Sequence, residues 1–545
     1  MMKFAIPGDI ERQEFDLVVV GAGINGAAIA RDAVIRGLRT LLLDKGDVAS
    51  GTTSWSSRLI HGGLRYLEHG EVRLVRESLR ERERLLRNAP HLVEPMRMVI
   101  PMYQGNRRRP AVIRAGMLAY DLLSLDKSLP RHQVWSASKA RRQIPGLNPC
   151  DLRGAALYYD AQATFAERLA VENVVSAAEH GATVATYARV DRLVQDGDRV
   201  RGLIVADVLG GGDFYISTQV VVNVAGPWVD QVLAGTGHAM PRLIGGTKGS
   251  HLVVDPFPGA PPTALHYEAR EDHRAVLVIP WNGRYLIGST DIRYEGDLDD
   301  VWTDEAEVDY LLHETNQIIP GADLTRANVR YAYAGVRPLP YQLDGSEAEI
   351  SRDHAVVNHA PALRGLLSIT GGKLTTFRAL AEHTVGAVYR QLEKTPPRCE
   401  TARLPLPGGA GVSLPAFQRS LAERSGLPME SVDRLVTVYG TRARDVLALA
   451  DRDPTLREPF CAATGSIGAE VVFAVEREFA RTLEDVMMRR TMVGLEPGHG
   501  VGADEVAAAI AQRHLGWDEA RAHDEVLRYR AYLERFVPQA SKPPH

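Results

Sequence analysis

At 545 residues the chain exceeds what one hydrophobic core usually serves, so two or three domains are expected. Its content of 45% hydrophobic, 24% charged and 6% aromatic residues is that of a folded globular protein and excludes long disorder. The balance of 64 Lys and Arg against 68 Asp and Glu, a formal charge of -4, leaves no global basic field for gripping nucleic acid, so any anion binding is local.

Residues 1–15 carry Asp9, Glu11 and Glu14 and no apolar segment, which is not the pattern of a secretory signal. No run of about 18 uninterrupted apolar residues marks a spanning helix. Cys150, Cys399 and Cys461 are scattered without CxxC spacing, so neither a disulfide framework nor a metal site is suggested and a reducing compartment fits. The expectation is a cytoplasmic protein whose membrane contact is at most peripheral.

The first expected strand is FDLVVV at 15–20, buried on both faces. It runs into GAGING at 21–26 and a helix expected over 27–35. In such a unit Gly21 permits the tight turn, Gly23 lets a pyrophosphate approach the backbone, and Gly26 lets helix and strand pack closely. The amides and positive dipole end of the helix favour the phosphates. A second strand over 40–43 ends at Asp44, placed to accept from ribose hydroxyls. The unit reads as an adenine-dinucleotide site and does not by itself distinguish NAD from FAD.

Next comes a hydroxyl-dense loop, SGTTSWSSRLIHGGLRYLEH at 50–69. Arg107, Arg108 and Arg109 precede Pro110, and Ile113, Met117 and Tyr120 then form a helical stripe. This pattern fits an interfacial helix drawn to anionic lipid, and equally a core-facing helix with a solvated basic cap. A strand over 183–190 ends at Val190, and β-like runs at 275–280 and 285–288 suggest a mixed sheet. A strand over 366–369 leads through Gly371 and Gly372 into a helix expected over 374–392. TPPR at 395–398 and PLPGGAG at 405–411 mark a linker. Helical periodicity follows at 432–438, 443–450, 469–491, 503–515 and 524–536, and MMRRT at 487–491 has no role that its residues reveal.

Five segments in order, the 50–69 loop, NVAGPWVD at 223–230, KGSHLVV at 248–254, GVRPL at 335–339 and GGKLTTFR at 371–378, resemble the FAD-dependent glycerol-3-phosphate dehydrogenases over roughly 15–390. The resemblance implies an α/β chain with a discontinuous Rossmann-like FAD-binding domain of the glutathione-reductase/amino-acid-oxidase type at 14–235 and 350–392. A mixed β-sheet substrate domain would occupy 236–349 and a C-terminal helical domain 400–545. FAD would be held at its ADP half by Gly21, Gly23, Ile24, Asn25, Gly26 and Asp44, with Val190 giving a backbone contact to adenine. Thr52, Thr53, Ser57, His61, Gly62 and Gly63 would line the path to the flavin, joined by Gly226, Trp228, Gly371, Gly372, Leu374 and Thr375.

The same resemblance implies oxidation of sn-glycerol 3-phosphate to dihydroxyacetone phosphate by hydride transfer from C2, with electrons passed to membrane quinone and a homodimeric assembly. A substrate with nearly two negative charges needs several cations. Arg65, Arg337 and Lys373 fall on the family's substrate-site positions with Tyr66 and His251 beside them, and Arg352 lies outside the quoted segments. By intrinsic pKa His251 is the better base, Arg337 and Lys373 stabilise the reacting oxygen, Arg65 and Arg352 hold phosphate, and Tyr66 orients. Alternatives that stay open are an oxygen-using glycerol-3-phosphate oxidase, a flavin amine oxidase of the same fold, which the arginine set disfavours, and a non-enzymatic flavoprotein.

Overall fold

The β-branched run at 15–20 leaves only Asp16 polar, and Asp16 accepts from the Arg39 amide at 3.0 Å. The strand Glu14–Val20 is accordingly buried from Phe15 onward, at the centre of a largely parallel sheet. The computed structural model describes residues 10–68, 70–125, 127–342, 352–411 and 413–539. In it the first sheet runs Ala355–Asn358, Leu366–Thr370, Asp213–Asn223, Glu14–Val20, Thr40–Leu43, Thr183–Ala185. Leu17, Val19, Leu42 and Val222 face a layer formed by the helices Ile24–Ile35, Ala166–Glu179 and Phe377–Gln391. Val18, Val20, Leu41 and Val221 face the other side, which the hairpin Ala188–Asp196 and Arg199–Asp207 helps to close. Strand and helix meet where they do because Gly21 turns with φ +114° and because a Cβ on Gly26 would lie 1.8 Å from the Gly21 carbonyl oxygen.

The strand expected over 183–190 is two pieces. It stops at Ala185, Tyr187 takes φ +57°, and the chain re-enters as Ala188–Asp196. The amides of Tyr187 and Ala188 donate to the carbonyls of Gly46 and Asp44, so the turn follows the shape of the segment after the second strand. Val190 therefore pairs with Val205 inside the hairpin, beyond the backbone that meets Asp44.

The second sheet has ten strands. Its strand Thr247–Val254 lies between Arg284–Gly288 and Val329–Arg337, antiparallel to both. This sheet is not confined to 236–349: Leu59–Ile60, Val93–Tyr103, Gln133–Ser136 and Leu152–Ala163 come from upstream. Val93–Tyr103 pairs along its length with Leu152–Ala163 and continues the sheet by parallel pairing with Ala264–Glu268. The chain thus passes twice between the two sheets before residue 236.

The C-terminal region is helical, with Met429–Tyr439, Ala443–Arg452, Gly468–Arg477, Ala503–Leu515 and Glu519–Leu533 its main members. The periodic run at 469–491 is broken. The helix ends at Arg477, Glu478 turns inward to pair with Arg168 and Arg442, and Phe479 takes φ +64°. A π-helical turn, Asp485–Arg490, follows. The linker at 395–411 is packed rather than loose, since the Arg31 guanidinium donates to the carbonyls of Leu404 and Pro405 at 3.0 Å.

Candidate active site and cofactor cradle

At the glycine turn, the Ala22 amide donates to Asp44 Oδ2 at 2.6 Å and the Gly46 amide to Asp44 Oδ1 at 2.8 Å, which fixes the carboxylate beside the start of the helix Ile24–Ile35. A Cβ on Gly21 would lie 2.7 Å from the Val224 carbonyl oxygen, and one on Gly51 would lie 3.0 Å from the Trp228 ring. The short helical turn Gly226–Trp228 therefore closes over the same end. Two buried polar atoms here, Asn25 Oδ1 and Trp228 Nε1, have no hydrogen-bond partner among the described residues. An open acceptor and an open donor flanking a glycine cradle fit a polar, extended ligand such as a dinucleotide.

From there the hydroxyl-dense loop leads toward the second sheet. Thr53 Oγ1 accepts from the Ile24 amide at 3.0 Å and Thr52 donates to the Val336 carbonyl at 2.6 Å, so these hydroxyls fasten the loop between helix and strand. The His61 amide donates to Thr375 Oγ1 at 3.0 Å. The Gly62 amide is committed to the Tyr120 hydroxyl at 2.9 Å and to Asp160 at 3.3 Å. Gly62 and Gly63 instead supply room, because a Cβ would strike Leu79 and Tyr120 at the first and Tyr66 at the second. Gly371 donates its amide to the Pro338 carbonyl at 2.8 Å, and a Cβ on Gly372 would lie 3.0 Å from the side-chain nitrogen Nδ2 of Asn25. The helix expected from 374 opens at Phe377. Residues 373–376 stay a turn, with Leu374 in it, since the Thr376 amide bonds the Lys373 carbonyl and Thr375 is held by His61.

At the far end of this path the predicted catalytic and substrate residues gather. His251, on Thr247–Val254, is 2% exposed. Its Nε2 lies 2.8 Å from Ser57 Oγ and its ring stacks on Tyr333 at 5.0 Å. Burial, with the positive charges of Arg337 and Arg58, lowers its pKa to about 3. Arg337 donates from Nη1 to Asp291 Oδ1 at 2.9 Å and from Nη2 to Ser289 Oγ at 2.8 Å. Its guanidinium lies over the neighbouring strand, where a Cβ on Gly249 would come 2.1 Å from Nη2. Arg352 donates to the other oxygen of Asp291 at 3.2 Å. Burial works to raise the Asp291 pKa, but Arg337 and Arg352 hold it below the usual carboxylate value. Lys373 Nζ sits 3.8 Å from the centre of the Tyr66 ring and 3.3 Å from Ser78 Oγ, and burial lowers its pKa to about 7. Arg65 belongs to the short helix Leu64–Leu67, and its side chain lies outside the described residues.

Two assignments change. Basicity no longer favours His251: burial and two arginines take it to about 3, whereas Lys373, starting from the higher ordinary value of an ammonium, is lowered only to about 7. Asp291, which ties Arg337 to Arg352, went unrecognised in the sequence, where it is one acid among many in a loop; so did Tyr333 and Ser78. The stripe Ile113, Met117, Tyr120 of the helix Pro110–Leu123 is buried, and the Tyr120 hydroxyl donates to Asp160 at 2.7 Å, so that stripe belongs to the core. The opposite face exposes Leu118 at 63% and Leu122 at 66%, followed by Leu125 at 69%. Among the described residues no helix is long and apolar enough to cross a membrane.

The family described as FAD dependent oxidoreductase matches residues 16–378, and the C-terminal domain of alpha-glycerophosphate oxidase matches residues 399–522. A glycerol-3-phosphate dehydrogenase of Synechocystis is 43% identical over 541 residues, 97% of this chain and 98% of its own length. The D-erythritol 1-phosphate dehydrogenase of Brucella abortus is 37% identical over 88% of this chain and 95% of its own. The glycerol-3-phosphate dehydrogenase of Bacillus halodurans, solved in complex with FAD, superposes with a TM-score of 0.78 at 27% identity and covers 98% of each chain. FAD is thus the cofactor of this chain, which belongs to the FAD-dependent oxidoreductases and, within them, to the family of the FAD-dependent glycerol-3-phosphate dehydrogenases.

Proposed function

We propose that the protein oxidises sn-glycerol 3-phosphate to dihydroxyacetone phosphate. The observation that carries this reading is a cation group brought from separate segments: Arg337 and Arg352 sit on the two oxygens of Asp291, and Lys373 lies close enough to Arg352 to feel its charge. Guanidinium forks suit a phosphate, and Asp291 restrains both until that anion arrives. FAD, when bound, would supply a two-electron acceptor for the hydrogen of C2. The proton of the C2 hydroxyl goes to Nζ of neutral Lys373, whose pKa of about 7 matches the task. His251, neutral, orients the hydroxyl while Ser57 fixes its ring, and Arg337 steadies the charge that grows on the oxygen.

Membrane quinone is the proposed acceptor. The exposed face of Leu118, Leu122 and Leu125, with Arg109 and Arg114 exposed nearby, has the mixture of apolar and basic groups that holds a protein on an anionic lipid surface. The enzyme would then work at the cytoplasmic membrane, as a homodimer in keeping with its family.

The decisive experiment is anaerobic. Glycerol 3-phosphate added to the holoenzyme is expected to bleach the flavin band, with D-erythritol 1-phosphate run in parallel and the reduced protein then offered a quinone analogue or oxygen. No bleaching by glycerol 3-phosphate overturns the reading, faster bleaching by the erythritol phosphate reassigns the substrate, and reoxidation by oxygen alone makes the protein an oxidase.

A further inference from the structure

The MMRRT segment, which the proposed reaction does not use, reaches the cofactor end of the molecule. Arg489 and Arg490 stand in the π-helical turn Asp485–Arg490 of the C-terminal region. Arg490 grips Asp47 with both terminal nitrogens, at 2.8 and 2.7 Å, and Arg489 Nε adds a third bond at 2.6 Å. All three side chains are at most 1% exposed. Arg489 also donates to Asp485 at 2.7 Å, and the same Asp485 oxygen accepts from the Tyr187 hydroxyl at 2.7 Å.

Asp47 lies three residues after Asp44, in the segment that wraps the glycine turn. On its inner side that segment is stitched to the turn, where Asp44 accepts from the Ala22 amide and the Ala49 amide donates to the Ala22 carbonyl. On its outer side the fixed points are the Tyr187 amide on the Gly46 carbonyl and the arginine pair on Asp47. Charge-assisted, bidentate bonds in a dry interior set geometry to within a fraction of an ångström, and a bond network one layer behind a ligand orients the groups that touch it.

We infer that the C-terminal domain is a working part of the dinucleotide site: Arg489 and Arg490, acting through Asp47, are positioning residues that hold residues 44–50 in the shape that receives the ADP half of FAD. The inference rests on the reading that this half lies at the glycine turn. It couples cofactor retention to the docking of a domain more than 400 residues away in sequence.

The test is titration of the apoprotein with FAD, followed by flavin fluorescence, alongside the unfolding midpoints of apoprotein and holoenzyme. Asp47→Asn is expected to raise the FAD dissociation constant by about tenfold or more, as loss of a supporting shell does elsewhere, and to shrink the gap between the two midpoints. Arg490→Lys, which keeps the charge and loses the fork, is expected to give a smaller rise and provides the measurement should Asp47→Asn fail to fold. Glu478→Gln breaks an equally buried pair between the same regions, Arg168 and Glu478, keeps the Glu478 backbone carbonyl to which Arg490 Nε donates at 2.8 Å, and is expected to lower both midpoints without changing the dissociation constant. If Glu478→Gln weakens FAD as much as the clamp variants do, or if neither clamp variant weakens it, the inference is overturned. Asp44→Asn separates the two levels: if it too leaves FAD affinity intact, the ADP half lies elsewhere and both readings fall, whereas weakening by Asp44→Asn alone removes only the clamp.

Discussion

A lysine ammonium enclosed against a tyrosine ring loses hydration that the ring only partly replaces, and Lys373 is lowered to about 7 as a result. If its neutral form is the acceptor, kcat/KM rises as pH climbs through about 7 and levels off above, because that ratio reports the free enzyme. His251 at about 3 would give a flat profile above about pH 5 if it were the base. The substrate's own phosphate titrates near pH 6, so Lys373→Arg is the control: it keeps a cation and should abolish the limb near 7 along with most of kcat, leaving only the substrate's ionisation. Persistence of that limb in the variant would remove Lys373 from the role. Residue types and motifs singled out Arg337, Lys373 and His251 as candidates and Ser57 as a cofactor-lining residue, and the fold sets His251 against Ser57 and Arg337. Their working pKa values were not legible in the sequence, since these depend on which neighbours and how much water the fold leaves around each group. Asp291 was illegible for the same reason: its meaning is the distance to two arginines that lie 46 and 61 positions away.

Periodicity read the elements better than their partners. The strand, glycine turn and helix at 15–35 could be read from local sequence because burial on both faces and a tight turn leave few residue choices. The periodic run at 469–491 could not reveal its own break, because the break is made by Arg168 drawing Glu478 inward from a distant helix. The helix Pro110–Leu123 is apolar on two faces, so a single stripe could not identify which one is buried. Ile113, Met117 and Tyr120 fill the core, and Leu118 and Leu122 are left outside. Replacing both, Leu118→Gln with Leu122→Gln, should sharply reduce co-sedimentation with anionic vesicles, raise the salt sensitivity of what binding remains, and leave flavin reduction by soluble substrate unchanged. Equal sedimentation of variant and parent would rule this face out as the lipid contact, and a change in solution mass instead would make it the interface between copies.

On the scale of the whole molecule, buried charge joins the C-terminal region to the cofactor half, and domain boundaries drawn along the sequence miss this because the pairs cross them. Glu478 accepts from Arg168 at 2.6 and 2.7 Å and pairs with Arg442, while Arg168 also lies over the Tyr439 ring at 4.7 Å. Burial works to raise the Glu478 pKa, yet the two guanidinium groups hold it at about 2. A carboxyl depressed in this way stabilises the fold fully above its ordinary value of 4.5, and that contribution is lost as pH falls toward 2. The difference corresponds to about 3 kcal/mol, comparable with the roughly 3–5 kcal/mol lost when one partner of a buried pair is removed. Glu478→Gln leaves both arginines facing a neutral amide, so its unfolding midpoint in urea should fall well below that of the parent at pH 7. The gap should then narrow from about pH 5 downward toward pH 2, as the Glu478 carboxyl of the unfolded parent takes up a proton that the folded state still excludes. A gap that stays constant across that interval would mean that the variant is weakened by packing alone, and that the charge pair does not hold the two halves together.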